Sequence, residues 1–224
     1  NIATAISNAP TKSKFAIVSN PDRHLVCMGT ETTIGSTSSQ DPMFIRWSDQ
    51  DDYTSWSATA TNSAGSQRIT GGSQIRTAVR TRGQILILTD TSAHGMSFIG
   101  APFTFGFQQL GSNCGAVSAH SAVDVGGIVR WMSNDAFYQF DGTVRKIPCT
   151  VEDFVFDNIE PKQLEQVYAG SNSAFGEIWW LYCTTASNQI DRYVIFNYQE
   201  NLWYTGTLVR STWIDTGTYS LPYA

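Results

Sequence analysis

GGIVRWMSNDAFYQFDGTVRKIPC, residues 126–149, holds three short apolar and aromatic runs: GIVRWM (127–132), AFYQFD (136–141) and VRKIP (144–148). The segments between them are turn-formers, so each run reads as a β-strand too short to be a globular helix. SAHSAVDV (118–125) precedes them, and together they make a group of four strands.

The same group recurs along the chain. A first set is KFAIVS (14–19), HLVCMG (24–29), MFIRW (43–47) and YTSWSA (53–58). A second is QIRTAVRT (74–81), QILILT (84–89), GMSFIG (95–100) and FTFGFQQL (103–110). The last is QVYAGSN (166–172), EIWWLYC (177–183), RYVIFNY (192–198) and LWYTGTL (202–208). The second strands begin near 24, 84, 127 and 177, close to the ~40–50-residue repeat of propeller blades. A sandwich also has many short strands, but not in fours. The expectation is an all-β, β-propeller-like fold with about four four-stranded blades, spanning approximately 14–58, 74–110, 118–148 and 166–208. They make one propeller domain over 1–224, or a fragment of one.

RSTWID (210–215) reads as the first strand of a further blade, and NIATAISNAPT (1–11) is loosely patterned. Either the ring is unfinished, with remaining blades in further sequence, the favoured expectation, or it closes with four blades and strand exchange; a chain that starts at Asn1 is expected to be a processed or partial product. TETTIGSTSSQDP (30–42) and SATATNSAGSQRITGG (57–72) read as long polar loops, a class often functional or mobile. One helical insert is expected at 150–167: Val151, Phe154, Val155 and Ile159 fall at helical spacing. Thr150 is placed to cap with Asp153, and Pro161 to begin a second short helix.

Composition narrows the function. Charged residues are 15% of the chain and the net charge is −5, whereas proteins that grip DNA carry a surplus of Lys and Arg. If DNA is a neighbour, smooth passage fits better than sequence readout. Cys27, Cys114, Cys149 and Cys183 form no CxxC pair and read as buried free thiols. No apolar run is long enough for a transmembrane helix, and no signal peptide is visible.

Motifs of catalysis are scarce. GMSFI (95–99) has Ile99 where a nucleophile elbow around Ser97 needs Gly. His24, His94 and His120 have no patterned metal partner. Asp49, Asp51 and Asp52 offer oxygens to calcium but lack the spacing of a calcium loop, and such runs usually make turns. WSDQDDYTSW (47–56) approaches the Asp-box of sialidase-type propellers without its glycine. Trp179, Trp180, Tyr182, Phe196, Tyr198, Trp203 and Tyr204 form an aromatic cluster suited to sugars or bases, and equally to the core between blades. On 74–82, Arg76, Arg80 and Arg82 share one alternation face with Gln74 and Ala78, opposite Ile75 and Val79. If that strand is the innermost of its blade, these arginines face a channel; a solvated outer face explains them equally well. No catalytic residue, metal or cofactor is expected.

IRWSDQDDYTSW (45–56), TATNSAGSQRITGG (59–72), GGIVRWMSNDAFYQFDGTVRKIPC (126–149) and FGEIWWLYC…DRYVIFNYQENLWYTGTL (175–208) together resemble podophage tail nozzle or hub proteins, also described as packaged-DNA stabilisation proteins. The resemblance covers about 40 to 215. It implies a non-enzymatic virion protein, assembled in the host cytoplasm as a homo-oligomeric ring, sixfold in the family. That ring sits below the portal and adaptor and against tail fibre or tip proteins. It implies packaged double-stranded DNA in the lumen, held without sequence specificity, and no membrane insertion. Loops close the lumen until ejection, with 30–42 and 57–72 as candidates here. Family members are longer than this chain, and platform and tip parts are not evident in it. The competing reading is a carbohydrate-binding or glycan-cleaving propeller that recognises host surfaces; a third is a tail-tip or adaptor protein with a joining role.

Overall fold

A computed structural model describes residues 6, 8–20, 22–215 and 222–223. The fold is all-β: among the described residues sixteen strands form four antiparallel four-stranded sheets, each an open meander in chain order. This is a propeller-like arrangement. The chain divides after Ser112 into two compact units, each holding two sheets.

In the first unit, sheet 1 comprises β1 (Phe15–Val18), β2 (Leu25–Met28), β3 (Phe44–Trp47) and β4 (Gly65–Arg68). Sheet 2 comprises β5 (Ile75–Arg80), β6 (Ile85–Thr89), β7 (Ser92–Gly100) and β8 (Thr104–Ser112). Alternation places Val26, Met28, Ile45 and Trp47 of sheet 1 in one core with Ile75, Ile85, Ile87, Met96 and Phe105 of sheet 2. Each such aliphatic side chain contributes about 1.5–3 kcal/mol when fully buried.

In the second unit, sheet 3 comprises β9 (Ala122–Val125), β10 (Ile128–Met132), β11 (Phe137–Phe140) and β12 (Val144–Ile147). Sheet 4 comprises β13 (Tyr168–Asn172), β14 (Glu177–Tyr182), β15 (Arg192–Asn197) and β16 (Leu202–Thr207). Its core is aromatic: Phe137 lies 4.8 Å from Trp180 and 4.7 Å from Trp203, ring centre to ring centre. The first strands of the two sheets adjoin, through a parallel bridge of His120 to Tyr168 and a 2.7 Å bond from the Ala169 amide to the His120 carbonyl.

Fifteen of the sixteen expected strand positions match, with ends shifted by a few residues. The exception is YTSWSA (53–58), which is no strand, so the first sheet extends past 58. Trp56 is buried there by a turn, its Nε1 donating to the Tyr53 carbonyl at 2.7 Å. The fourth strand is β4, inside the segment expected to be loop. Its sequence GSQR has no apolar residue to signal a strand, and Gly65 is there because a Cβ would lie 2.5 Å from the Trp47 ring.

RSTWID also forms no strand; only an isolated bridge joins Ile214 to Tyr223. Trp213 instead stacks on Trp179 (4.9 Å, 13°) and donates to the Ser171 carbonyl at 2.6 Å. The Asp215 carboxylate accepts from Ser171 Oγ and the Ser173 amide. Of the N-terminal stretch NIATAISNAPT, residues 1–5 and 7 lie outside the described residues.

The insert is a short helix α1 (Glu152–Phe156) followed by a 3₁₀ turn at Pro161–Gln166. Val155 and Ile159 enter the core, but Phe154 faces solvent. Thr150 does not cap; Val151 occupies that position without a side-chain bond, and Glu152 and Asp153 favour the helix start by charge. Pro161 opens the second turn, as expected, with the Glu160 carboxylate accepting from the Lys162 amide.

Candidate functional site

The three arginines do not share a face. The register of β5 against β6 shifts between Ile75 and Thr77, so Arg76 sits in a bulge and the alternation restarts after it. Ile75 and Ala78 then both face the core, two positions that strict alternation would have separated. Arg76 is half-buried, Arg80 is exposed at the end of β5, and Arg82 is exposed in the turn beyond it. β5 is an edge strand of its sheet, as an innermost blade strand would be. Arg80 lines a small polar cleft with Ser19, Asp22, Gln84 and Phe98. Ser19 Oγ already donates to Asp22 at 2.8 Å.

The most densely built polar cluster is elsewhere in sheet 2. Thr89, Ser92 and His94 are buried, and Ser92 Oγ lies 2.8 Å from His94 Nε2. Burial lowers the His94 pKa, against a hydrogen bond to the Thr70 backbone that raises it, so the ring is neutral at pH 7. A hydroxyl on a neutral imidazole is the pairing that activates nucleophiles. Here Gly71 and Gly72 close over it, at φ of +82° and +154°. A Cβ on Gly72 would lie 2.5 Å from Asp90 Oδ1 and 2.8 Å from Thr89 Oγ1. Ser92 is 2% exposed, so no substrate reaches it. The cluster fastens the 69–73 crossing to sheet 2; Ser73 adds a bond to Asp90. Ser97 lies on β7 and donates to Gln84.

The acidic run is spent on bonds to its own turn and to neighbouring loops. Asp49 accepts from Gln50, from the Ser63 amide and from Ser63 Oγ, and these bonds lower its pKa despite some burial. Asp52 accepts from Thr54, and Asp51 pairs with Arg23 at 2.6 Å. Among the described residues no three His, Cys, Asp or Glu side chains are grouped to hold a metal. The histidines are likewise scattered: His24 is buried edge-on to Phe105 and bonded to Ser63 Oγ, whereas His120 is exposed and stacked on Tyr168. Burial pushes the thiols of Cys27 and Cys149 up to about 11.

The aromatic cluster divides by face. Trp180, Tyr182, Phe196 and Trp203 are core residues. Trp179 lies on the opposite face with Tyr193 and Trp213, and Tyr204 is 43% exposed.

The expected gating loops are tied down. Glu31, fully buried, accepts from the Thr11 amide and hydroxyl and from the Gly35 amide. Burial opposes its ionisation, but these bonds outweigh burial and lower its pKa. Arg46, also buried, donates to the Thr32 carbonyl at 2.8 Å. Asp41 and Thr30 close the base of the loop through their backbones. The 57–72 segment contains β4.

Two features escaped sequence reading. Arg46 and Arg130 are buried cations; Arg130 lies 5.0 Å from the Tyr198 ring centre. The second is the tip of the β7–β8 hairpin, where Phe98, Ile99 and Phe103 are exposed. Its signal was available: residues 91–123 contain no Asp, Glu, Lys or Arg.

No protein-family model and no curated protein sequence matches the chain. Among solved structures, a tryptophan-to-alanine mutant of Synechocystis apocarotenoid oxygenase aligns over 91% of this chain and 51% of its own, at 9% identity and a TM-score of 0.41. A complex of S. cerevisiae Dbp5 with Nup159, Gle1, IP6 and ADP aligns over 92% of this chain and 62% of the matched chain, at 10% identity and a TM-score of 0.34. The chain thus spans about half the length of the first and under two thirds of the second. Likenesses this distant carry no functional argument.

Proposed function

We propose that this chain is a structural component of a bacteriophage tail, a nozzle or hub subunit whose ring retains packaged DNA and conducts it outward at ejection. The observation that carries the reading is where the resembling segments fall. IRWSDQDDYTSW, the 126–149 run and the 175–208 run supply β3, β10 to β12 and β14 to β16, together with the turns that brace them. The likeness therefore lies mostly in the sheet framework, with TATNSAGSQRITGG adding the loop around β4, as suits a protein whose work is mechanical. Polar side chains of strands and turns, Arg46, Thr89 and Asp49 among them, bond to loop backbone within their own unit and brace it.

A net charge of −5 suits a conduit that must release DNA: an acidic wall repels phosphate, and the few exposed cations, Arg80 and Arg82 among them, give guidance without grip. The bonds of Glu31 and Arg46 to the 30–42 loop, and β4 within 57–72, favour closure of the lumen by other segments or other proteins. Portal, adaptor and fibre or tip proteins are the expected neighbours. No helix among the described residues is long and apolar enough to cross a membrane.

The test is composition and binding. Mass spectrometry of purified tails should find the chain in fixed ratio to the portal protein. On a glycan array the purified chain should bind nothing saturably. Saturable binding to one glycan class, with the chain missing from tails, would transfer it to host-surface recognition.

A further inference from the structure

The longest hairpin is also the part of the chain without fixed charge. β7 and β8 have nine residues each. From Phe98 to Phe103 the tip is apolar throughout, with Ile99 56% and Phe103 72% exposed. Apolar side chains gathered on a surface mark a place that something covers. β8 ends the order of its sheet, so its outer edge has no ladder partner among the described residues. Bare edges recruit other strands, and proteins blunt them with charge or proline. The outer strand β12 follows that rule with Arg145 and Lys146, and β4 with Arg68. β8 carries neither charge nor proline. The outer strand of sheet 4, β16, also carries none, and it exposes Leu202 and Tyr204.

We propose that the β7–β8 hairpin is a docking arm for a second copy of this chain, which it meets at that copy's β16. Charge selects this occupant. Two copies at −5 each repel one another, and among the fourth strands of the sheets, β4, β8, β12 and β16, β8 and β16 are the two that carry no charge, so they oppose no like charges when they meet. Strand pairing satisfies the edge amides and carbonyls of both, while Leu202 and Tyr204 cover the apolar arm. A bilayer would leave the β8 edge unsatisfied, and the arm has no Lys or Arg to attract anionic headgroups. Arm and acceptor are different surfaces, so the contact is heterologous and repeats from copy to copy, closing where the rotation allows. The inference rests on the ring reading above for that closure, not for the contact.

The test is sedimentation of the purified chain over a range of concentrations, beside Phe103→Glu at the tip, Gln108→Lys on the β8 edge and Tyr204→Glu on the acceptor. All three positions are exposed, and circular dichroism confirms that each variant folds. Wild type should self-associate, and each variant should lose roughly tenfold or more in affinity. A double variant, Gln108→Cys with Tyr204→Cys, should be joined between copies by a short bis-maleimide. Variants that assemble like wild type overturn the arm and leave the ring reading standing. A monomeric wild type also overturns the arm; if it floats with phosphatidylcholine vesicles and F103E does not, the tip belongs to lipid. A monomer that is also absent from purified tails overturns both readings.

Discussion

The Trp180 indole Nε1 donates a 3.0 Å hydrogen bond to the Ser121 carbonyl, joining the second strand of sheet 4 to the residue that precedes β9 in sheet 3. Trp180 is fully buried between Phe137 and Trp203, so one side chain serves both the aromatic core and the polar seam. Trp180→Ala should cost about 3–5 kcal/mol. Trp180→Phe should cost less, since it keeps most of the packing and loses the donor. Urea unfolding followed by tryptophan fluorescence measures both; a Trp180→Phe cost near zero would mean that the hydrogen bond adds nothing, and equal costs that the packing adds nothing.

Gly72 should tolerate no side chain. Its φ of +154° and the carboxylate 2.5 Å from a built Cβ combine strain with a clash. Gly72→Ala should destabilise by about 2–3 kcal/mol or more. Gly83 also has positive φ but opens onto empty space, and Gly83→Ala should cost only about 1 kcal/mol. Thermal unfolding of the two variants side by side checks the difference. Equal melting temperatures would show that the 69–73 crossing is not packed as described.

Acid should weaken the first unit in two stages. Burial lowers the pKa of His24 and His94 below 6.5. Between that ordinary value and the lower folded one, the unfolded chain binds more protons, so stability is full above about 6.5 and declines as pH falls. Hydrogen-bonded Glu31, Asp49 and Asp90 are also lowered, and their contribution is lost further down, below about 4. Melting temperatures from pH 8 to pH 3 should show both declines. His94→Asn should flatten the first; a wild-type profile that is level from pH 7 to 5 contradicts the burial of neutral imidazoles.

Glu31 should hold the 30–42 loop in place. Glu31→Ala removes the acceptor of the Thr11 and Gly35 amides and should cost about 1–3 kcal/mol. Hydrogen exchange should show the amides of Thr32, Ser36 and Ser39 protected in wild type and released in the variant, with β6 unchanged. Fast exchange of that loop in wild type would restore it as a mobile gate.

Strands were legible wherever alternation or an apolar run carried them. β6, with ILILT, and β14, with EIWWLY, need no context. β4 was not legible, because GSQR pairs with β3 through backbone and a missing Cβ rather than through any apolar pattern. Trp56 misled in the opposite sense: an aromatic among Ser and Thr mimics a strand, yet turn hydrogen bonds bury it. The arginine face failed on one bulge, since a single extra residue at Arg76 inverts every later position, and a bulge leaves no mark in composition. Trp213 showed that a strand-like segment can serve as a strap when its indole finds a flat partner and a carbonyl. The charge-free arm was readable in principle, because an absence of charge over 91–123 is visible in the letters; its exposure was not.

Cryo-electron microscopy of the intact tail tests the central claim most directly. The account predicts copies of this chain in a symmetric ring around an axial passage, each showing four-stranded meanders at β1 to β16. Density that places the chain singly at a fibre tip, or nowhere in the particle, would contradict it.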